Sequence, residues 1–318
     1  MGVTRMAEGE AAVPVGRALP RDGLLLLAAI TLFWGLNWPV MKLAVAEIPV
    51  WTFRTICLAV GGVGLLVIGR LSGQSLRIPR RELRPLLLTA FFNITGWHLC
   101  SAFGLLYMSA GRASILGLTM PLWATLLAIP ILGERLTRTT ATGLVLGLAG
   151  LGALILPEWR QIAGQPIGVM FMLGAAVFWA AGTVSFKYFR WTIPLAALTG
   201  WQLLLGGVPV AVGALFFDAD FAPTTVSRTG WLATLGAALF PMLFCQWAWF
   251  RVVARFPAAV AAIGIVAIPA VGVFSGALLL GEPVGFDVLI SLALVSGALA
   301  VVLIGPVFER GGTVRNRT

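Results

Sequence analysis

Charge is what this chain has least of. Only 11% of its 318 residues are charged, 12 of them acidic, and there is one histidine. A soluble domain carries roughly 25% charged residues. Such a chain cannot clothe its core in a hydrated surface, so a soluble fold is excluded. Cysteine is also sparse. Cys57, Cys100 and Cys245 each fall inside apolar runs, which excludes a disulfide scaffold and makes them small core residues. No Cys/His spacing of a metal site exists, so neither metal nor cofactor is expected. An intramembrane protease would need paired aspartates, a Ser/His couple or H-E-x-x-H at bilayer depth. The one deep histidine stands in no such set, so catalysis is disfavoured.

What the chain has is hydrophobic length: 59% of its residues are apolar. A bilayer-spanning helix needs about 20 apolar residues. Turn and charge punctuation divides the sequence into ten spans, at about 23–46, 51–69, 85–107, 112–132, 139–156, 168–187, 193–217, 230–252, 257–280 and 284–305. The first is too long for the apolar region of a signal peptide and lacks an A-x-A-like end, so it reads as a retained helix. Loops as short as Glu47–Val50 and Met108–Gly111 make neighbouring spans antiparallel. Ten spans put both termini on one side. The basic residues agree: most of the 22 cluster in alternate loops, including Arg70–Arg84, Lys187–Arg190 and Arg251–Arg255, and in the two tails. That alternation marks those loops as cytoplasmic. The net charge of +10 is thereby a membrane-topology signal, and no nucleic-acid partner is expected.

The chain also resembles itself. Phe33-Trp34 and Lys42 recur as Phe178-Trp179 and Lys187, and Ile48-Pro49 as Ile193-Pro194, all 145 residues on. Met120-Pro121 answers Ile268-Pro269, and Gly133-Glu134 answers Gly281-Glu282, at a shift of 148. Each half holds five spans. Five is odd, so the second half enters the membrane the other way round. The fold class is therefore all-α, with ten transmembrane helices in two inverted five-helix repeats. The units are a tail 1–22, a first repeat 23–156, a second repeat 168–305 and a tail 306–318. Inverted repeats place substrate near the midplane in secondary transporters, and argue against a channel.

On the Phe-Trp-Gly-x-Asn-x-x-x-x-Lys run of the first span, the prolines of the fourth and ninth, and their closing Gly-Glu pairs, the chain resembles the drug/metabolite transporter superfamily, in its ten-helix EamA-type branch. The resemblance covers about residues 23–305. It implies a central cavity formed mainly by helices 1, 3, 4, 6, 8 and 9. The Trp-rich core and Gly96-Trp97-His98 look most like the YddG-type aromatic amino-acid exporters. The sixth span departs from the first, carrying Gly182 and Val184 in place of Asn37 and Pro39.

Polar and aromatic groups at bilayer depth nominate the site. His98 falls near the middle of its span, and a shift of 148 brings it onto Gln246. Either an interhelical hydrogen bond or substrate contact accounts for the pair, and His98 could couple transport to protons. Trp34, Trp97, Trp123, Trp179, Trp201 and Trp247 lie deep, where an indole offers a flat face and an N–H. Trp34 and Trp179, matched by the repeat, are expected to share the cavity. Asn37, Ser101 and Met120 complete the candidate lining. Pro39, Pro121 and Pro269 read as kinks suited to hinges. Lys42, Arg54 and Lys187 read as snorkelling cations, with Lys42 also a candidate contact for a carboxylate near the outer mouth. The Gly-Glu pairs end helices. G-x-x-x-G spacings at Gly143/Gly147 and Gly272/Gly276 fit packing within one chain or a homodimer.

The sequence thus reads as an exporter of amino acids, aromatic or bulky and apolar, in a bacterial inner membrane. Its partners are a small-molecule substrate and the lipid bilayer. Another small metabolite or a drug remains the alternative cargo. Direction of transport follows from the resemblance alone.

Overall fold

The computed structural model describes residues 21–315 apart from 135, 157–165 and 256–257. The N-terminal tail expected at 1–22 lies outside them but for its last two residues. Among the described residues there is helix and no strand. The helices are α1 Arg21–Val45, α2 Val50–Leu71, α3 Arg80–Leu106, α4 Ala110–Leu132, α5 Arg138–Ile155, α6 Ile167–Tyr188, α7 Leu195–Phe217, α8 Arg228–Arg255, α9 Ala258–Leu280 and α10 Phe286–Arg315. Seven of them contain stretches long and apolar enough to cross a membrane. Three further apolar stretches, Ala141–Leu154, Ile265–Leu280 and Phe286–Val301, are shorter.

Large apolar side chains face outward in numbers no soluble protein shows. Leu215, Phe216, Phe217, Leu278 and Phe286 are each at least 72% exposed. Lipid is the solvent for such a surface. Between helices, lipid and side chain are equally apolar, so association relies on close packing of small residues and not on a hydrophobic drive. The interior shows this: Ala44, Ala102, Ala110, Ala113, Ala175, Ala176 and Ala180 are completely buried.

The helix pairs follow a pattern. α1 packs on α8 and α9, α6 packs on α3 and α4, α2 packs on α7, and α5 packs on α10. Local backbone obeys the spacing of the sequence repeat as well. α3 is interrupted by a π-helical segment at Phe91–Gly96, and α8 by another at Ala238–Phe244. π-segments are rare and concentrate at functional sites.

Some boundaries differ from the hydropathy reading. α3 begins at Arg80, five residues before the expected start. Its first turns carry Arg80, Arg81 and Arg84, and charge at a helix end lowers hydropathy without preventing helix. α10 runs on to Arg315 for the same reason. The related prolines are used differently. Pro121 sits in the first turn of a restarted helix, Met120–Leu132, after a break at Leu118–Thr119 in α4. Pro269 lies within continuous α9, as Pro39 does within α1.

Glycine sets the closest approaches. The Gly272/Gly276 pair faces α4 within the chain: a Cβ on Gly272 would lie 2.6 Å from Ser114 Oγ. The crossing of α7 over α3 is as close, and it meets atoms fixed to the backbone: a Cβ on Gly206 would lie 2.7 Å from the Ala90 carbonyl and 2.6 Å from Ile94 Cβ. Neither can yield without moving backbone. Gly206→Ala should therefore destabilise the protein by about 1–3 kcal/mol, read as a lower melting temperature in detergent. Gly297→Ala, with nothing within 4 Å of the added atom, should leave melting unchanged or slightly raised; equal melting of the two variants would refute this packing.

Candidate functional site

Two Lys–Glu pairs mark opposite ends of the bundle. α4 and α9 end alike: Gly133 and Gly281 adopt φ of 69° and 65°, and the next amide turns back to the carbonyl six residues before it, Glu134 N to Ala128 O and Glu282 N to Gly276 O. Positive φ is the region glycine reaches without a Cβ penalty. The stop aims each glutamate back across the bundle. Glu282 takes Lys42 Nζ of α1 at 3.1 Å. Glu134 takes Lys187 Nζ of α6. Lysine and glutamate in each pair come from different halves, and each pair maps onto the other through the sequence repeat.

The two ends are not in the same state. Glu282 also accepts the Ala110 and Gly111 amides at 2.7 and 3.1 Å, at the N-terminus of α4. Lys42 also donates to Met108 O at 2.8 Å. A carboxylate at a helix N-terminus satisfies orphan amides and meets the positive end of the dipole. The Glu282 side chain is 11% exposed, against 46% for Glu134 and 65% for Lys187. An exposed pair of that kind contributes about 0–1 kcal/mol. The Glu282 end is clamped and the Glu134 end is exposed. The glutamates do more than end helices, and Lys42 meets an internal carboxylate.

Loop contacts repeat the arrangement. At the Glu282 end, Glu47 accepts the Ser227 amide and hydroxyl, both at 2.7 Å. Those bonds, hydroxyl first, hold the Glu47 carboxyl below the ordinary carboxylate range. At the other end, Glu82 accepts the Thr192 amide at 3.0 Å and its hydroxyl at 2.5 Å. Again a carboxylate of one half meets a hydroxyl residue of the other.

Between the ends lies a wall of indoles. Trp97 of α3 stands edge-on to Trp179 of α6, with ring centroids 5.1 Å apart, and to Trp38 of α1 at 6.4 Å. Trp38 fits because glycine flanks it: a Cβ on Gly117 would lie 2.7 Å from its ring, and one on Gly272 3.3 Å. Trp38, unlike its neighbours, was not singled out from sequence. Its signal was position, one turn beyond Trp34 on the same helix.

The expected pairing of Trp34 with Trp179 is not formed. Trp34 turns to α8, donating to Pro241 O at 3.4 Å and packing 5.7 Å from Trp249. Pro241 lies in the π-segment, where that carbonyl serves an indole from the other half. Trp123 bonds within its own helix, to Thr119 Oγ1 at 3.2 Å. Trp247 lies under the Arg251 guanidinium, 4.2 Å from ring centroid to Cζ. Asn37, Met120 and Gln246 are half-buried. The structure thus gathers Trp97, Trp179, His98 and Ser101 of the expected set, and leaves Trp34, Trp123 and Trp247 in other surroundings.

Of the three buried side-chain atoms without a partner among the described residues, α3 carries two, the third being Gln74 Oε1. His98 is 3% exposed and its Nδ1 has no partner; Asn93, in the π-segment, is 9% exposed with Oδ1 unpartnered. Asn93 fills the space left by Gly182, where a Cβ would collide with that oxygen. Buried polar groups are nearly always bonded, so two orphans on one helix mark a place built for something else. His98 is eight residues from the Leu106 end of α3, about 12 Å at 1.5 Å per residue. It therefore sits toward the Glu282 end and not at the centre of its helix.

Arg54 was expected to snorkel. It does the reverse. It is 2% exposed and reaches inward, Nε donating to His98 O at 2.8 Å and Nη2 to Ser101 Oγ at 2.9 Å. The α2 helix stands against α3 at this level, so backbone and hydroxyl acceptors are nearer than the interface. Among the described residues no cluster of His, Cys, Asp and Glu could hold a metal.

Known proteins resemble this chain over most of its length. The profile of the EamA-like transporter family matches residues 21–156 and again 166–304. The uncharacterized transporter YoaV of Bacillus subtilis is 26% identical over 273 residues, covering 86% of this chain and 93% of its own. A probable amino-acid metabolite efflux pump of Salmonella typhimurium is 28% identical over 276 residues, covering 82% and 88%. The uncharacterized inner membrane transporter YedA of Escherichia coli K12 is 25% identical over 292 residues, covering 90% and 92%. A solved crystal structure superposes with a TM-score of 0.62 at 20% identity, over 88% of this chain and 96% of its own, which makes the fold a shared one. With both halves matched, the chain belongs to the EamA-like transporter family and is a multi-pass membrane transporter.

Proposed function

We propose that this transporter exports amino acids, preferring aromatic or bulky apolar side chains, across a bacterial inner membrane by alternating access. In this reading ten spans form two inverted repeats, both termini are cytoplasmic, and Glu282 faces the periplasm. The observation that carries it is the pair of repeat-related ion pairs. Lys42–Glu282 and Lys187–Glu134 stand at opposite ends, and one is clamped while the other is exposed. A carrier that opens to one side at a time needs two such closures in unequal states. In this reading the periplasmic closure is the clamped one. Cargo preference rests on the indoles of Trp38, Trp97 and Trp179, which offer apolar faces and cation–π contact to an ammonium group. The name of the Salmonella relative points the same way.

The test is uptake of labelled phenylalanine into proteoliposomes, with and without a pH gradient. Uptake without the gradient, competed by unlabelled amino acids, is expected; absence of uptake in both conditions rejects the amino-acid assignment. Lys42→Glu and Glu282→Lys should each lower the rate about tenfold or more, since each leaves like charges facing at a partly buried contact. The double variant should recover much of the loss. Normal rates in both single variants would remove this pair from the transport cycle. Trp97→Ala and Trp179→Ala should lower phenylalanine flux by more than alanine flux. The difference should correspond to about 0.5–1.5 kcal/mol of selectivity for each indole removed. Equal losses for both substrates would make the indoles packing residues.

A further inference from the structure

Arg54 is a cation without a counter-ion. Its polar partners among the described residues are the His98 carbonyl, Ser101 Oγ and Met41 Sδ, all neutral. Its guanidinium carbon also lies 5.2 Å from the Phe53 ring centroid. Of the described acidic groups at this end of the bundle, Glu282 is engaged by Lys42 and two amides, Asp287 by Arg112, Asp218 by the Thr52 amide and hydroxyl, and Glu47 by the Ser227 amide and hydroxyl, while Asp220 is exposed. Arginine keeps its proton under all ordinary conditions. Neutral acceptors orient such a group but do not cancel its charge, and a buried cation at membrane depth is costly unless paired. A charge retained on those terms is ready for an anion that comes and goes.

The surroundings say what else that anion carries. The guanidinium rests against Met41 of α1, one helical turn beyond Trp38, and against the backbone of His98, next to Trp97. The buried His98 ring holds an unpartnered Nδ1. Nε and Nη2 are already bonded to the protein, which leaves the two N–H groups of Nη1 to donate charge-assisted bonds to a carboxylate. An apolar body attached to that carboxylate would then lie on the indole wall. We propose that Arg54 is the carboxylate subsite of the transport site, so that the protein takes substrates with a free carboxylate beside an apolar or aromatic group. This rests on the transport reading above and names the part of the substrate that is required. The transport site then holds a fixed positive charge. The zwitterion supplies the missing negative charge, and Arg54 is a specificity-determining residue.

Binding can be measured apart from transport. Purified full-length protein in detergent is titrated with L-phenylalanine, 3-phenylpropionate, phenylalaninamide and phenethylamine, following tryptophan fluorescence and the melting temperature. The two carboxylates should bind saturably and at least tenfold more tightly than the amide and the amine. Arg54→Gln should abolish that difference, and Arg54→Lys should keep part of it. Equal affinity for acid and amine in the wild-type protein overturns the subsite. So does an undiminished preference in Arg54→Gln, or no binding of any probe. The wild-type comparison stands even where a variant does not fold. Carboxylate-selective binding without phenylalanine flux in proteoliposomes would retain the subsite and reject only the exporter assignment.

Discussion

A bilayer offers a helix neither hydrogen bonds nor a hydrophobic reason to leave the lipid, and this protein is organised by both denials. Since lipid is as apolar as a leucine side chain, helices hold together only where they approach closely enough for dispersion contacts to accumulate. Gly206 against the Ala90 carbonyl and Gly272 against Ser114 are such places, as is the fully buried row of alanines along α4 and α6. Since lipid cannot satisfy a polar group, every deep donor or acceptor must find a partner within the protein or be kept for a ligand. Polar contacts between halves therefore gather at the two ends of the bundle, where water also reaches. The few that lie deeper stand out.

Two polar systems result, and they do different work. At the ends, carboxylates of one half hold lysines, amides and hydroxyls of the other: Glu282 with Lys42, Glu134 with Lys187, Glu47 with Ser227, Glu82 with Thr192. Those bonds exchange with water at modest cost, which suits contacts that must open. Deeper down, Arg54 and His98 share a short stretch of α2 and α3 beside the indoles. Their unsatisfied capacity cannot be met by lipid, which suits contacts reserved for cargo. The π-segment of α3 ends two residues before His98, and a shifted helical register there redirects side chains and carbonyls.

The asymmetry between related positions is as informative as the symmetry. Asn37 and Pro39 have Gly182 and Val184 as their counterparts, and Asn93 of α3 occupies the room that Gly182 leaves. α4 is broken before Pro121, while α9 passes through Pro269 as a continuous helix. One duplicated plan thus yields two unequal linings. A substrate with different chemical ends is better served by such a pair than by a symmetric one.

Helix positions, the duplication and the membrane setting were legible in sequence because each is a local property. Hydropathy over twenty residues identifies a span, and a repeated Phe-Trp or Gly-Glu is visible wherever it lies. Hydropathy blurred only the ends, as at Arg80, where charge accompanies a helix out of the lipid. Partner choice was not legible. Trp34 and Trp179 occupy equal places in the two halves, yet they face different helices, because α1 meets α8 while α6 meets α3. Lys42 and Glu282 lie 240 residues apart; only the crossing of α1 and α9 brings them together. Arg54, four residues into its helix, carries no local sign of whether it turns to water or to the interior. That choice was decided by the tertiary structure, since the His98 carbonyl and Ser101 hydroxyl stand within reach only once α2 and α3 are side by side.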